Sequence, residues 1–254
     1  MAVGSSDSVA LGEVVIVGGG CYGSFYAGQL RRARERGAAR WRRLLVVDRD
    51  PQCRAAEPLA GWPDVELVVE EWGDFFDRYL AGAADRSGPP DAIVPSPLMP
   101  HLMFDWLLRR ARARWPGRDV SPHPVPIGPG TPYDAQGPDG TRYVSFADWL
   151  CPTHCIEPST CPIIRAPRTW EMGEAMETLT RHLDREHPTA GPVLFTCRHR
   201  VYGVGMFDVA AVLAGDAVVA RAGAAERPVD VLVGTISACH GAASLLRLGP
   251  SAAR

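Results

Sequence analysis

The stretch EVVIVGGGCYGSFYAGQL, residues 13–30, runs from a β-branched apolar segment through a cluster of glycines into a helical pattern. Gly18, Gly20 and Gly23 fit the spacing G-x-G-x-x-G. Each glycine has its own physical reason in such a strand–turn–helix unit. The first permits the tight turn, the second lets the backbone approach an anionic group, and the third lets the helix pack on the strand. The free N–H groups of the new helix then face the anion. The next apolar run, RLLVVDRD, ends on Asp48, about 25 residues beyond the last glycine and near the spacing at which an acid takes a ribose hydroxyl.

With these residues in place, the first hundred residues resemble the Rossmann superfamily of NAD(P)- and FAD-binding domains. The resemblance implies that Gly18, Gly20 and Gly23 cradle phosphate and that Asp48 reads an adenosine ribose. Aspartate there favours NAD. Arg49, immediately after it, keeps NADP open, because a guanidinium accepts a 2'-phosphate. FAD and S-adenosylmethionine use related turns.

Working outward, VELVVEEW and PDAIVPSP read as the third and fourth strands, followed by the helical patterns GDFFDRYLAGAA and LMFDWLLRRARARW. From Pro116 to Pro138 the chain carries seven prolines and four glycines, a density read as an irregular excursion. The helical run MGEAMETLTRHLDREH follows it, then the buried-strand patterns PVLFTCRHR and VDVLVGTISACHG, with GMFDVAAVLA helical between them and a helical stretch after Cys239. The expected fold class is α/β: a Rossmann-like, doubly wound, mostly parallel sheet interrupted by a long Pro/Gly- and Cys-rich insertion. Residues 10–115 form the dinucleotide-binding half, 116–170 the insertion, and 171–250 a second α/β half completing the same sheet; two domains split near Pro122 are the competing layout.

Composition narrows the function classes. With 254 residues, 46% hydrophobic, the chain buries a sizeable core, and a net charge of −2 gives no general pull toward nucleic acid or anionic membrane. The arginine runs RRARERGAARWRR and RRARARW read as solvated helix faces, since neither interleaves aromatics at base-stacking spacing. No segment has the length of a membrane span, and the start MAVGSSDSVALGE lacks the basic and apolar regions of a signal peptide, so a cytoplasmic location is expected. The chain contains no lysine, which excludes a Walker lysine, a pyridoxal Schiff base and Tyr-x-x-x-Lys catalysis.

Three of the seven cysteines stand within CPTHCIEPSTCP, residues 151–162. In a reducing compartment such a cluster points to metal or redox chemistry rather than to disulfides. Cys151, Cys155 and Cys161 supply three thiolates. Cys197 as fourth ligand makes a set suited to an iron–sulfur cluster or zinc, and His154 or His199 makes one suited to zinc. Cys239 is the candidate nucleophile, with His240 beside it and His199 as further candidates for catalysis. The function expected is an oxidoreductase moving hydride or electrons between a dinucleotide and a cysteine-bound centre, with a small molecule or redox partner as its other substrate. A nucleotide-, redox- or metal-sensing regulator without turnover, and a metal-handling or cofactor-assembly protein, are the alternatives.

Overall fold

The computed structural model describes residues 8–152, 155–225 and 227–251; His154 lies outside them. In chain order the main elements are β1 (Glu13–Val17), α1 (Cys21–Glu35), β2 (Arg43–Asp48), α2 (Ala56–Leu59), β3 (Val65–Val69), α3 (Trp72–Ala81), β4 (Ala92–Val94) and α4 (Leu102–Arg114). They continue as β5 (Arg118–His123), β6 (Tyr133–Gln136), β7 (Arg142–Ser145), α5 (Met172–Glu186) and β8 (Thr189–Thr196). The last are β9 (Arg198–Val201), β10 (Val204–Asp208), α6 (Val209–Gly223), β11 (Val229–Ile236) and β12 (His240–Ser251). The protein is mixed α/β. Among the described residues no helix is long and apolar enough to cross a membrane.

The chain divides into two compact units, the first built from residues up to Met99 plus Arg198–Ala210, the second from Pro100–Cys197 and from Ala211 onward. In the first unit, β4, β1, β2 and β3 lie side by side and parallel, and β10 and β9 extend the β4 edge antiparallel. Every residue of β1 is buried, as a parallel strand covered on both faces requires. Val14, Ile16, Leu44 and Val46 pack with Ala27 and Leu30 of α1 on one face. On the other strand positions the sheet meets α3, which buries Phe75, Phe76 and Tyr79.

The second unit has its own sheet, in the order β8-β11-β12-β7-β6, with β5 also pairing along β12. Leu232 and Ile236 of β11 pack with Met172, Met176, Leu179 and Leu183 of α5. Those helix positions recur at the spacing of one helical face. The alternate strand positions serve the opposite face, where Gly215 of α6 sits so close to Val193 and Phe195 of β8 that an added methyl would collide. Asp216 joins α6 to α4, accepting two hydrogen bonds from the Arg114 guanidinium at 2.8 and 3.0 Å.

Several expectations are corrected here. Of residues 171–250, only β9 and β10 join the first sheet, and antiparallel; β8, β11 and β12 build a separate one. The proline-rich stretch is not wholly irregular, because it holds β5 and β6. Pro122 is tolerated in β5 since that strand pairs on one side only, with β12, and an edge strand can spare an N–H. PVLFTCRHR is two strands broken at Cys197, and β8 and β9 belong to different units. The residues after Cys239 form β12 rather than a helix, because Leu245, Leu246 and Leu248 are all buried in the sheet. The first arginine run keeps its place on a solvated helix face, where Arg31 bonds Glu35 and lies 4.2 Å over the Trp62 ring and Arg34 bonds Asp64.

One core group carries a pH dependence. His101, 8% exposed, stacks on Phe104 and places Nδ1 3.4 Å from the Thr235 hydroxyl. Burial pushes its pKa down to about 4, below the ~6.5 of an unfolded histidine. Between those values the unfolded chain binds the extra proton, so the stabilisation is complete above ~6.5 and is lost as pH falls toward 4, by ~3 kcal/mol. Urea unfolding at pH 7 and pH 4.5 should show this loss in the native sequence and a shallower acid dependence in His101→Phe.

Candidate functional site

The glycine turn of the first unit joins β1 to α1. Gly18 has φ +84°, the left-handed region that favours glycine. A Cβ on Gly23 would strike the Gly18 carbonyl oxygen, whereas one on Gly20 would meet nothing within 4 Å. Gly20 thus leaves open space in front of the turn, and α1 begins there with no side-chain cap and no acidic residue in its first turn. Asp48 ends β2 and turns its carboxylate inward: Oδ2 accepts from Gly19 N at 2.6 Å and Oδ1 from Asp50 N at 2.9 Å. It therefore braces the turn, a role the spacing alone does not reveal. Arg49 points to Glu71 at 3.9 Å, largely in solvent.

The second unit gathers the cysteines. β8 and β11 are parallel, so the segments leaving Thr196 and Ile236 emerge at one edge, and Cys197 N donates to Ile236 O at 2.7 Å. The organiser is Glu157, held at φ +50°. Its carboxylate accepts from Ser237 Oγ at 2.5 Å, Ala238 N at 2.9 Å and Cys239 N at 3.3 Å, closing the turn between β11 and β12. Glu157 N in turn donates to Cys155 Sγ at 3.4 Å. Trp170 Nε1 donates to Cys239 Sγ at 3.3 Å, and Met172 N to Ala238 O at 3.0 Å. Cys161 sits on a two-residue ladder with Ala166.

Electrostatics show which thiols are neighbours. Burial raises the Cys151 pKa, and the Cys155 and Cys161 thiols raise it further. Cys239 is pushed up to about 11, first by burial, against the Trp170 N–H, with Glu157 and Cys151 adding to the rise. Cys197 is pushed up to about 12 by burial, with Glu157 as its charged neighbour. Glu157 thus touches Cys155 through its own N–H and the Cys239 backbone through its carboxylate, tying the cysteine loop to the turn after β11. His240 places Nδ1 2.9 Å from Ser145 Oγ, and burial lowers its pKa. His199 lies on β9 in the first unit, opposite Gly205.

These placements correct one ground for reading Cys239 as a nucleophile. It stands in a strand turn, not at a helix start, so no helix dipole favours its thiolate, and its proton is held at neutral pH. The described residues include no group of three His, Cys, Asp or Glu side chains placed to hold a metal ion.

Sequence reasoning missed Glu157, Ser145 and Trp170. The signal for Glu157 was present: it is the one acid inside CPTHCIEPSTCP. Three donors on one carboxylate make a definite expectation. Glu157→Ala should cost ~2 kcal/mol or more, because it strands N–H groups in a half-buried turn, while Glu157→Gln should recover part of that. Thermal melts of the two variants test this.

A family model described as AF_1314_C, "Uncharacterized protein, C-terminal domain", matches residues 103–249, more than half of the chain. The chain belongs to this family. The AF_1314_C match includes the whole thiol site of the second unit and excludes the glycine turn. No curated protein and no solved structure matches the chain.

Proposed function

We propose that the chain is a nucleotide-binding redox protein. The reading rests on the glycine turn: an uncapped helix start, open space at Gly20 and an inward-braced Asp48, at the carboxyl edge of parallel strands ordered β4-β1-β2-β3. That order and that edge are where doubly wound, Rossmann-type sheets bind dinucleotides. Gly18 and Gly20 line the approach to the phosphates, the α1 N–H groups face them, and the ribose reaches Asp48. NAD(P) is the expected cofactor, with FAD as the alternative, and either supplies the hydride chemistry that side chains lack.

In the second unit, Cys151, Cys155, Cys161 and Cys239 form the set best suited to an iron–sulfur cluster. Iron and sulfide atoms stand between the cysteines in such a centre, so the thiols need not converge as they must on one ion. The chain is then an oxidoreductase that exchanges electrons with a small molecule or redox partner. A sensor without turnover is the second reading, favoured by one observation: burial holds the Cys239 thiol in its unreactive, protonated form at neutral pH.

Protein purified without oxygen should bind NADH, NADPH or FAD in direct titration and carry iron with sulfide. Reduction of a dye acceptor by the bound dinucleotide marks the enzyme; binding without turnover marks the sensor. Failure to bind any of the three at millimolar concentration would refute the nucleotide reading.

A further inference from the structure

The second unit also holds a cavity of about 250 Å³. Its position follows from strand pairing. Ala243 of β12 pairs with Arg142 of β7, Leu245 pairs with His123 of β5, and Ser244 between them lines the opening where the edge partner changes. One side of α4 forms the opposite wall, with Asp105 four residues after His101, on the same helical face. The turn between β6 and β7 contributes Asp139.

The depth of this cavity carries an unused polar group. His101 is 8% exposed, and its Nε2 is buried with no hydrogen-bond partner among the described residues, while Nδ1 faces Thr235. A buried polar atom left in this way costs free energy that a bound partner would recover. When Nδ1–H donates to the Thr235 hydroxyl, Nε2 is an acceptor. Asp105 and Asp139 add two carboxylates, both exposed on the rim of the cavity. Asp139 is oriented by Thr141, whose N and Oγ1 donate to it at 3.0 and 2.9 Å. His123 is the remaining titratable group on the wall.

We propose that this cavity binds a small organic cation bearing N–H donors, an ammonium or guanidinium compound of about amino-acid size. Two carboxylates attract the charge, and a neutral imidazole accepts a hydrogen bond without repelling it. The volume lies just below the roughly 300 to 1,000 Å³ of pockets that take drug-sized ligands. The site is independent of the glycine turn and of the thiols.

Calorimetric titration of the full chain with putrescine and agmatine, and with succinate as the anionic control, tests it. At least one cation should bind saturably at a single site below about 1 mM, and succinate should not. Asp105→Asn and Asp139→Asn should each weaken binding about tenfold or more, while Arg31→Gln, on an exposed helix face of the first unit, leaves it unchanged. In the native sequence the His101 ring nitrogen resonances should shift along the same saturation curve. Absence of saturable binding by both cations, tighter binding of succinate, a His101 resonance indifferent to the ligand, or unchanged affinity in both Asn variants would each overturn the proposal.

Discussion

Gly23→Val is expected to abolish nucleotide binding and to destabilise the first unit by ~3 kcal/mol or more, whereas Gly20→Val should abolish binding alone. The two glycines are three residues apart, yet their surroundings differ. At Gly23 an added Cβ meets the Gly18 carbonyl and a methyl of Ile16, and a main-chain atom cannot move aside as a flexible side chain can. The helix must then lift from β1, disturbing the packing of Ala27 and Leu30. At Gly20 the Cβ enters open space, so folding tolerates it, and the only loser is a ligand that approaches the backbone there. Thermal melts combined with NADH titration separate the outcomes. A Gly20→Val protein that melts and binds like the native sequence would show that the turn is architecture without a ligand.

The second large effect concerns the thiols. Single Ser replacements of Cys151, Cys155, Cys161 or Cys239 should each remove most of the iron and sulfide from protein purified without oxygen, and double replacements should remove little more, since a centre lacking one ligand is already lost. Cys197→Ser should keep the metal, because Glu157, which contacts Cys155, grips the Cys239 turn rather than Cys197. Retained iron in the Cys239 variant together with loss in the Cys197 variant would reverse that assignment. Graded, additive losses across the four would dissolve the shared centre altogether.

The parts of the fold carried by local pattern were legible in the sequence, and those decided by distant pairing were not. The β-branched run 13–17, the apolar stretches ending at Asp48 and Val69, and the periodic helices around Phe76, Leu107 and Leu179 all fall where their patterns place them. Pattern says a strand is buried; it does not say in which sheet. Phe195 and Val233 read as strands of the first sheet with equal ease, and only the register of β8 on β11 and of β12 on β11 shows that they form a second one. AASLLRL failed for a related reason, since a short apolar run fits a helix and a doubly covered strand alike. The three cysteines within twelve residues were visible. Cys239 at the end of a strand pattern was visible too; the tie that holds its turn, Glu157 reaching across some eighty positions to grip Ser237 and Ala238, was not.

The return of the chain to the first unit at Arg198–Ala210 bears on the order of synthesis. When Val94 leaves the ribosome, β4 has β1 on one side and an empty edge on the other, and the strand that covers it, β10, is not made until Asp208. At roughly 5 to 20 residues per second, that edge waits some seconds or longer for its partner. β4 is short and wholly buried in the finished sheet, so the interval exposes an apolar, hydrogen-bonding margin to any nascent neighbour. A fragment ending near Met99 keeps that margin open permanently and should self-associate, and a ribosome that lingers anywhere between the two segments prolongs the same hazard.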